Sequence, residues 1–139
     1  MMKKLLVFVL FWGCANTMFA QNNASLEDTS DVTFTRVEVE AEFLGGLQAW
    51  KEYLMKNLKA DVPSKKRAPD GTYTVIVRFI VWKDGRIEGI TAETNHGYGM
   101  EKEVMRVIRK GPKWKPAMQN GNIVKAYRRQ PITFVVSSE

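Results

Sequence analysis

His96 is the single histidine of the chain, and the nearest acidic side chain before it is Glu93. An imidazole and one carboxylate make a metal site or an acid–base pair only with a further ligand at suitable spacing. None follows here, so His96 reads as an exposed loop residue. Glu101 and Glu103 stand two apart, which on a helix does not put them on one face. They are favourable charges near a helix N-terminus, not a paired acid–base site. Gly97-Tyr98-Gly99 lacks the third glycine of a phosphate loop and reads as a turn. Ser64-Lys65-Lys66-Arg67 could touch phosphate, but a short charge run between prolines is a solvated loop. Cys14 is the only cysteine and lies in the first apolar stretch, which leaves the rest of the chain without a disulfide or a thiolate cluster. No nucleophile sits beside a base. The sequence predicts a protein that is not an enzyme and takes no cofactor, no metal and no small-molecule substrate.

The elements around these residues point to one small domain. A chain of 139 residues with 45% hydrophobic and 26% charged content holds one core of ordinary size. The formal net charge of +6 includes Lys3 and Lys4. Without them the balance is only mildly basic, which argues against nucleic acid as the partner. Residues 1–20 read as a signal peptide, with Lys3 and Lys4 ahead of an apolar run from Leu5 to Trp12. Cleavage is expected after Ala20, with Gly13 and Ala15 offering a competing site. A retained inner-membrane anchor would need about 20 apolar residues, and Gly13, Asn16 and Thr17 interrupt the run. Lipidation of Cys14 would place bulky Phe11 and Trp12 where small residues are expected. Simple cleavage and export therefore rank first. Residues 21–31 are polar and turn-rich and read as a disordered leader, so the domain spans 32–139.

Within it, Val32 to Phe43 alternates as an extended segment, and Gly45-Gly46 breaks the chain. Leu47, Trp50, Leu54 and Leu58 then mark one face of a first helix. Asp61 to Gly71, with two prolines and Asp70-Gly71, reads as a loop. Thr72 to Trp82 is a strand with Tyr73, Val75, Val77, Phe79 and Val81 on one face. Lys83-Asp84-Gly85-Arg86 turns it into a second strand from Ile87 to Thr94, with a bulge at Gly89. Met100, Val104, Val107 and Ile108 define a second helix that stops at Gly111-Pro112. After a turn at Gln119-Asn120-Gly121-Asn122, Ile123 to Val136 forms the last strand. Pro131 lacks an N–H for a ladder and so places that strand at a sheet edge. The result is α+β: a three-stranded antiparallel sheet with two helices packed on one face, the first strand central, and the other two parallel to each other.

Several segments resemble one known family, the C-terminal domain of TonB-type energy transducers. Glu42-Phe43-Leu44-Gly45-Gly46 is similar to the motif that opens the family's first helix, with Leu44 where proline is common. Tyr53-Leu54 with Asn57 continues it, as does the strand from Val75 to Ile87. The run from Lys110 to Val124 carries the family's Pro-x-Trp-x-Pro and Asn-Gly elements at Trp114, Pro116, Asn120 and Gly121. Pro131 to Phe134 resembles its final strand.

The resemblance implies a periplasmic domain that captures a short extended peptide, the TonB box of an outer-membrane transporter, by adding it as a strand. An edge strand offers unpaired N–H and C=O groups for affinity and alternate side chains for specificity. The expected edge is Ile123, Val124, Lys125, Ala126, Tyr127, Arg128, Arg129 and Gln130. Lys125, Tyr127 and Arg129 share one face of it. Arg128 and Gln130 are more polar than the family's usual residues, so the peptide preference does not carry over. Trp114 reads as a core lid, Pro116 as a turn-fixing residue, and Gly45 and Gly46 as positive-φ residues that start the first helix.

A full transducer of this family also has a transmembrane helix and a long proline-rich spacer. The eleven residues from Gln21 to Asp31 contain no proline and reach at most about 3.3–3.6 Å each. The expectation is a stand-alone binding domain. The alternative is a structural or adaptor protein whose same edge pairs with a second copy or a fixed envelope partner.

Overall fold

Alternation and turn chemistry settle the centre of the fold. The computed structural model describes residues 32–138, so the signal peptide and the leader expected over 1–31 lie outside the described residues. In chain order the elements are β1 (Glu42–Phe43), α1 (Gly46–Asn57), α2 (Val62–Lys65), β2 (Gly71–Val81), β3 (Ile87–Ala92), α3 (Met100–Lys110), β4 (Trp114–Lys115), β5 (Ala117–Gln119), β6 (Asn122–Val124) and β7 (Ala126–Val136).

β2 is the central strand of a three-stranded antiparallel sheet in the order β3-β2-β7. Its Val75, Val77, Phe79 and Val81 are fully buried, while Thr74, Ile76, Arg78 and Ile80 face the other way. The hairpin to β3 closes with Trp82 N–H donating to Arg86 O and Gly85 N–H to Trp82 O, both at 2.9 Å. Thr91 stands opposite Arg78 and Glu88 opposite Ile80, so two residues face Phe79. Gly89, at φ 63°, absorbs that bulge. β7 pairs with β2 without a break from Ala126↔Val81 to Val136↔Gly71.

Helix α3 buries Met100, Val104, Val107 and Ile108, the four residues its periodicity marks. It rests on β2 and β3, whereas α1 is held mainly against β1. Phe43 pairs with Trp114 through the β1–β4 ladder. Their rings meet edge-on at 5.8 Å, with Trp50 and Phe79 within 5.6 and 5.0 Å of Trp114. Such contacts add to the area that each ring removes from water. Trp114 is therefore a core residue. The Tyr53 hydroxyl donates to Val107 O at 2.7 Å and ties α1 to α3. Burial pushes its pKa up, against the opposing pull of Arg106.

Four expectations need correction. The α+β class stands, but one three-stranded sheet with two helices on one face covers only part of the architecture. Two further two-stranded ladders, β1–β4 and β5–β6, flank it. The stretch after α1 contains the one-turn helix α2, whose Pro63 sits in the first turn, where a missing N–H costs nothing. The last strand is not continuous from Ile123: Ile123 and Val124 belong to β6, paired with β5 across a turn at Asn120 and Gly121 (φ 50° and 74°). Leu47, expected inside, is 69% exposed.

Candidate partner-binding edge

β7 has β2 on one side only. In an antiparallel ladder, alternate residues aim their N–H and C=O toward the partner strand and away from it. Tyr127 fixes the phase, because its N–H donates outward to Phe34 O at 2.9 Å. The outward set is therefore Tyr127, Arg129, Pro131, Thr133 and Val135. Phe34 N–H in turn donates to Lys125 O at 2.9 Å, so residue 34 lies beside Ala126 as a parallel bridge and covers the start of the edge. Beyond it, the outward main-chain groups of Arg129, Thr133 and Val135 have no main-chain partner among the described residues. Pro131 falls in this outward set, where its missing N–H leaves the β2 ladder whole.

The eight residues expected to receive a partner thus divide. Ile123 and Val124 are held in the β5–β6 hairpin. The Lys125 carbonyl and the Tyr127 N–H are taken by Phe34, and Ala126 is fully buried. Arg128, Arg129 and Gln130 lie where the covered part of the edge gives way to the open part. The open edge therefore sits further along the chain than expected, from Arg129 to Val135.

Side chains on the two faces differ. On the face away from the helices, Tyr127, Arg129 and Arg78 border a groove of about 410 Å³ with Thr35, Glu40, Glu93 and Arg128. Glu93 accepts from Arg129 at 2.6 Å and lies 4.0 Å from Arg78. The Arg78 guanidinium stacks over the Tyr127 ring at 4.9 Å. Next along, Lys125 and Arg86 lie over the two-ring system of Trp82 at 3.9 and 4.1 Å. On the helix face, Phe43, Leu47, Trp50 and Trp114 line one side of a notch of about 140 Å³, and Glu42, Arg128 and Gln130 line the other. Arg128 donates to Glu40 at 3.0 Å and to Gln130 Oε1 at 3.4 Å. Its Nε is buried without a partner among the described residues.

The remaining motif residues support this edge from behind. Gly45 starts α1 at φ 89°, where a Cβ would come within 2.7 Å of Ala49 Cβ. Gly46 also has positive φ. Pro116 separates β4 from β5, and Asn120 and Gly121 turn β5 into β6. Asn120 N–H and the Gln119 side chain both reach Glu38, which fastens the extended segment that carries Phe34. His96 is exposed, with Nε2 2.8 Å from Thr74 O. Among the described residues no cluster of His, Cys, Asp or Glu has metal-site geometry, and no helix is long and apolar enough to cross a membrane. Sequence reasoning missed Phe34, Glu40, Arg78 and Glu93. Only the alternation of Val32 to Phe43 hinted that this segment lies against the domain.

No curated protein and no solved structure matches this chain. The family model described as Gram-negative bacterial TonB protein C-terminal matches residues 64–136, from the end of α2 to the end of β7. That span is just over half of the chain and contains the whole β3-β2-β7 sheet, so the chain belongs to the TonB C-terminal family.

Proposed function

We propose that this domain works in the bacterial envelope, on the periplasmic side, by capturing an extended segment of an outer-membrane transporter as a fourth strand on β7. The observation that carries the reading is the open main-chain edge from Arg129 to Val135 in a member of this family. Strand addition takes its affinity from such groups and needs no catalytic side chain. The flanking groove and notch supply side-chain selection on the two faces.

The test is amide NMR of the isotope-labelled protein titrated with a synthetic transporter segment. Shifts and slowed amide exchange at Arg129, Thr133 and Val135 are expected, with little change along β3. A titration that leaves these amides unmoved, while sedimentation shows concentration-dependent dimers, replaces this reading with self-pairing through the same edge.

A further inference from the structure

Asn120 is the one asparagine of the chain that a glycine follows. The pair makes the two-residue turn between β5 and β6, with φ of 50° and 74°, and both residues are exposed. Among the described residues, neither the Asn120 side-chain amide nor the Gly121 N–H has a hydrogen-bond partner. Gly121 has no side chain to shield its nitrogen, and the space beside it is open, since an added Cβ would meet nothing within 4 Å. These are the conditions under which a main-chain nitrogen attacks the carboxamide before it. The other described asparagines differ. Asn57 donates its side chain to Tyr53 O at 2.8 Å at the end of α1. Asn122 donates to Asn120 O at 3.3 Å and precedes the β-branched Ile123, while Asn95 precedes His96.

We propose that Asn120 is a site of spontaneous deamidation, and that its product loosens the segment that carries Phe34. The Gly121 nitrogen, having given its proton to hydroxide, attacks Cγ of Asn120. A bond forms between them, the bond from Cγ to Nδ2 breaks, and the departing nitrogen takes a proton from water to leave as ammonia. Water then opens the cyclic imide at either carbonyl. One opening gives aspartate, and the other gives isoaspartate, with the main chain rerouted through Cγ. Both products add a carboxylate, and isoaspartate lengthens the turn by one carbon. The position matters because the Asn120 N–H donates to Glu38 Oε2 at 3.2 Å, while Gln119 Oε1 accepts the Glu38 N–H at 3.0 Å. A new carboxylate beside Glu38 repels it, and a rerouted turn displaces the N–H that holds it. Earlier in the same segment, Phe34 pairs with Lys125 and Tyr127. The chemistry needs no peptide at β7 and is independent of strand addition.

The whole protein is aged in warm, mildly alkaline buffer, digested at intervals and read by mass spectrometry. The mass gain that replaces NH2 by OH should appear first in the peptide holding Asn120, and an isoaspartyl methyltransferase should label that peptide. Gly121→Ala should slow the gain several-fold, because its methyl group shields the nitrogen. In the aged protein, amide exchange at Phe34 and Tyr127 should quicken several-fold while the amides of β2 keep their protection. Asn120→Asp adds the carboxylate without rerouting the chain and should show a smaller part of the same change. A gain that begins at another asparagine, or none at Asn120, overturns the proposal. Unchanged exchange at Phe34 and Tyr127 in fully converted protein overturns it too, as does a loss of protection spread over the whole sheet.

Discussion

Both carboxylate oxygens of Glu103 are bonded to Arg106, at 2.6 and 2.9 Å, from a position only 6% exposed. One of them also accepts the Lys59 N–H at 2.9 Å, and Arg106 reaches Asn57 O at 2.9 Å, so the pair fastens the end of α1 to α3. Burial by itself would raise the Glu103 pKa. The hydrogen bonds from Arg106 and Lys59 together outweigh it and hold the group below its ordinary value. A lowered folded-state pKa contributes stability above the unfolded carboxylate range and loses it as pH falls through the folded value. Glu103→Gln should therefore cost about 1–3 kcal/mol at neutral pH. In urea unfolding the gap to the wild type should narrow below about pH 4. A gap unchanged between pH 7 and pH 3 would show that charge is not its source.

Gly85 sits at φ 85° with its carbonyl accepting the Trp114 N–H at 2.8 Å. A Cβ there would lie well inside contact distance of the Trp114 carbonyl oxygen, which is main chain and cannot swing away. Gly85→Ala should lower stability by about 2 kcal/mol or more, since left-handed strain and the clash add. Gly121→Ala, at similar φ but in open space, should cost about 1 kcal/mol. Thermal unfolding of the two variants side by side checks this ranking.

Trp114 and Leu47 both line the notch on the helix face, yet their burial separates their roles. Trp114→Ala should cost about 3–5 kcal/mol, the loss expected when an aromatic core is opened. Leu47→Ser should stay within about 0.5 kcal/mol of the wild type while weakening capture of an extended peptide several-fold. Denaturant midpoints and peptide titrations on both variants decide it; a strongly destabilised Leu47→Ser would place that side chain in the core after all.

The outward phase of Thr133 makes a sharper test of the edge. Thr133→Pro removes one outward N–H and leaves the β2 ladder intact, whereas Ile132→Pro removes an inward one. Thr133→Ala serves as control for the 3.0 Å contact with the Thr74 hydroxyl. Thr133→Pro should unfold within about 1.5 kcal/mol of the control and bind extended peptides several-fold more weakly. Ile132→Pro should unfold far more readily. Peptide affinity equal in Thr133→Pro and Thr133→Ala would sink pairing at that position.

What the sequence disclosed and what it concealed divide by the range of the interaction. Val75 to Val81 and Met100 to Ile108 were legible because each repeats a short period that the core then confirms. Gly89 and Asn120-Gly121 were legible because positive φ leaves a mark on composition. The split of the last strand was not. Val124 and Ala126 are both buried and keep the same alternation, while only their partners change, from β5 to β2. Glu103 looked like an ordinary helix-start charge because its acceptor role depends on Lys59, 44 residues away. The candidate edge was displaced toward the N-terminal end of β7 for the same reason. Nothing in Ile123 to Tyr127 announces that Phe34 has claimed the outward groups first.

The Phe34 bridge also sets the length of the open edge. The strap from Phe34 to Glu40 is held by two main-chain hydrogen bonds at Phe34, by the Val39–Met118 bridge, by Glu38 on Asn120 and by Glu40 on Arg128. The strap lies along β7 immediately beside the open edge. Release of Phe34 would free the carbonyl of Lys125 and the N–H of Tyr127, lengthening the open edge by those two groups.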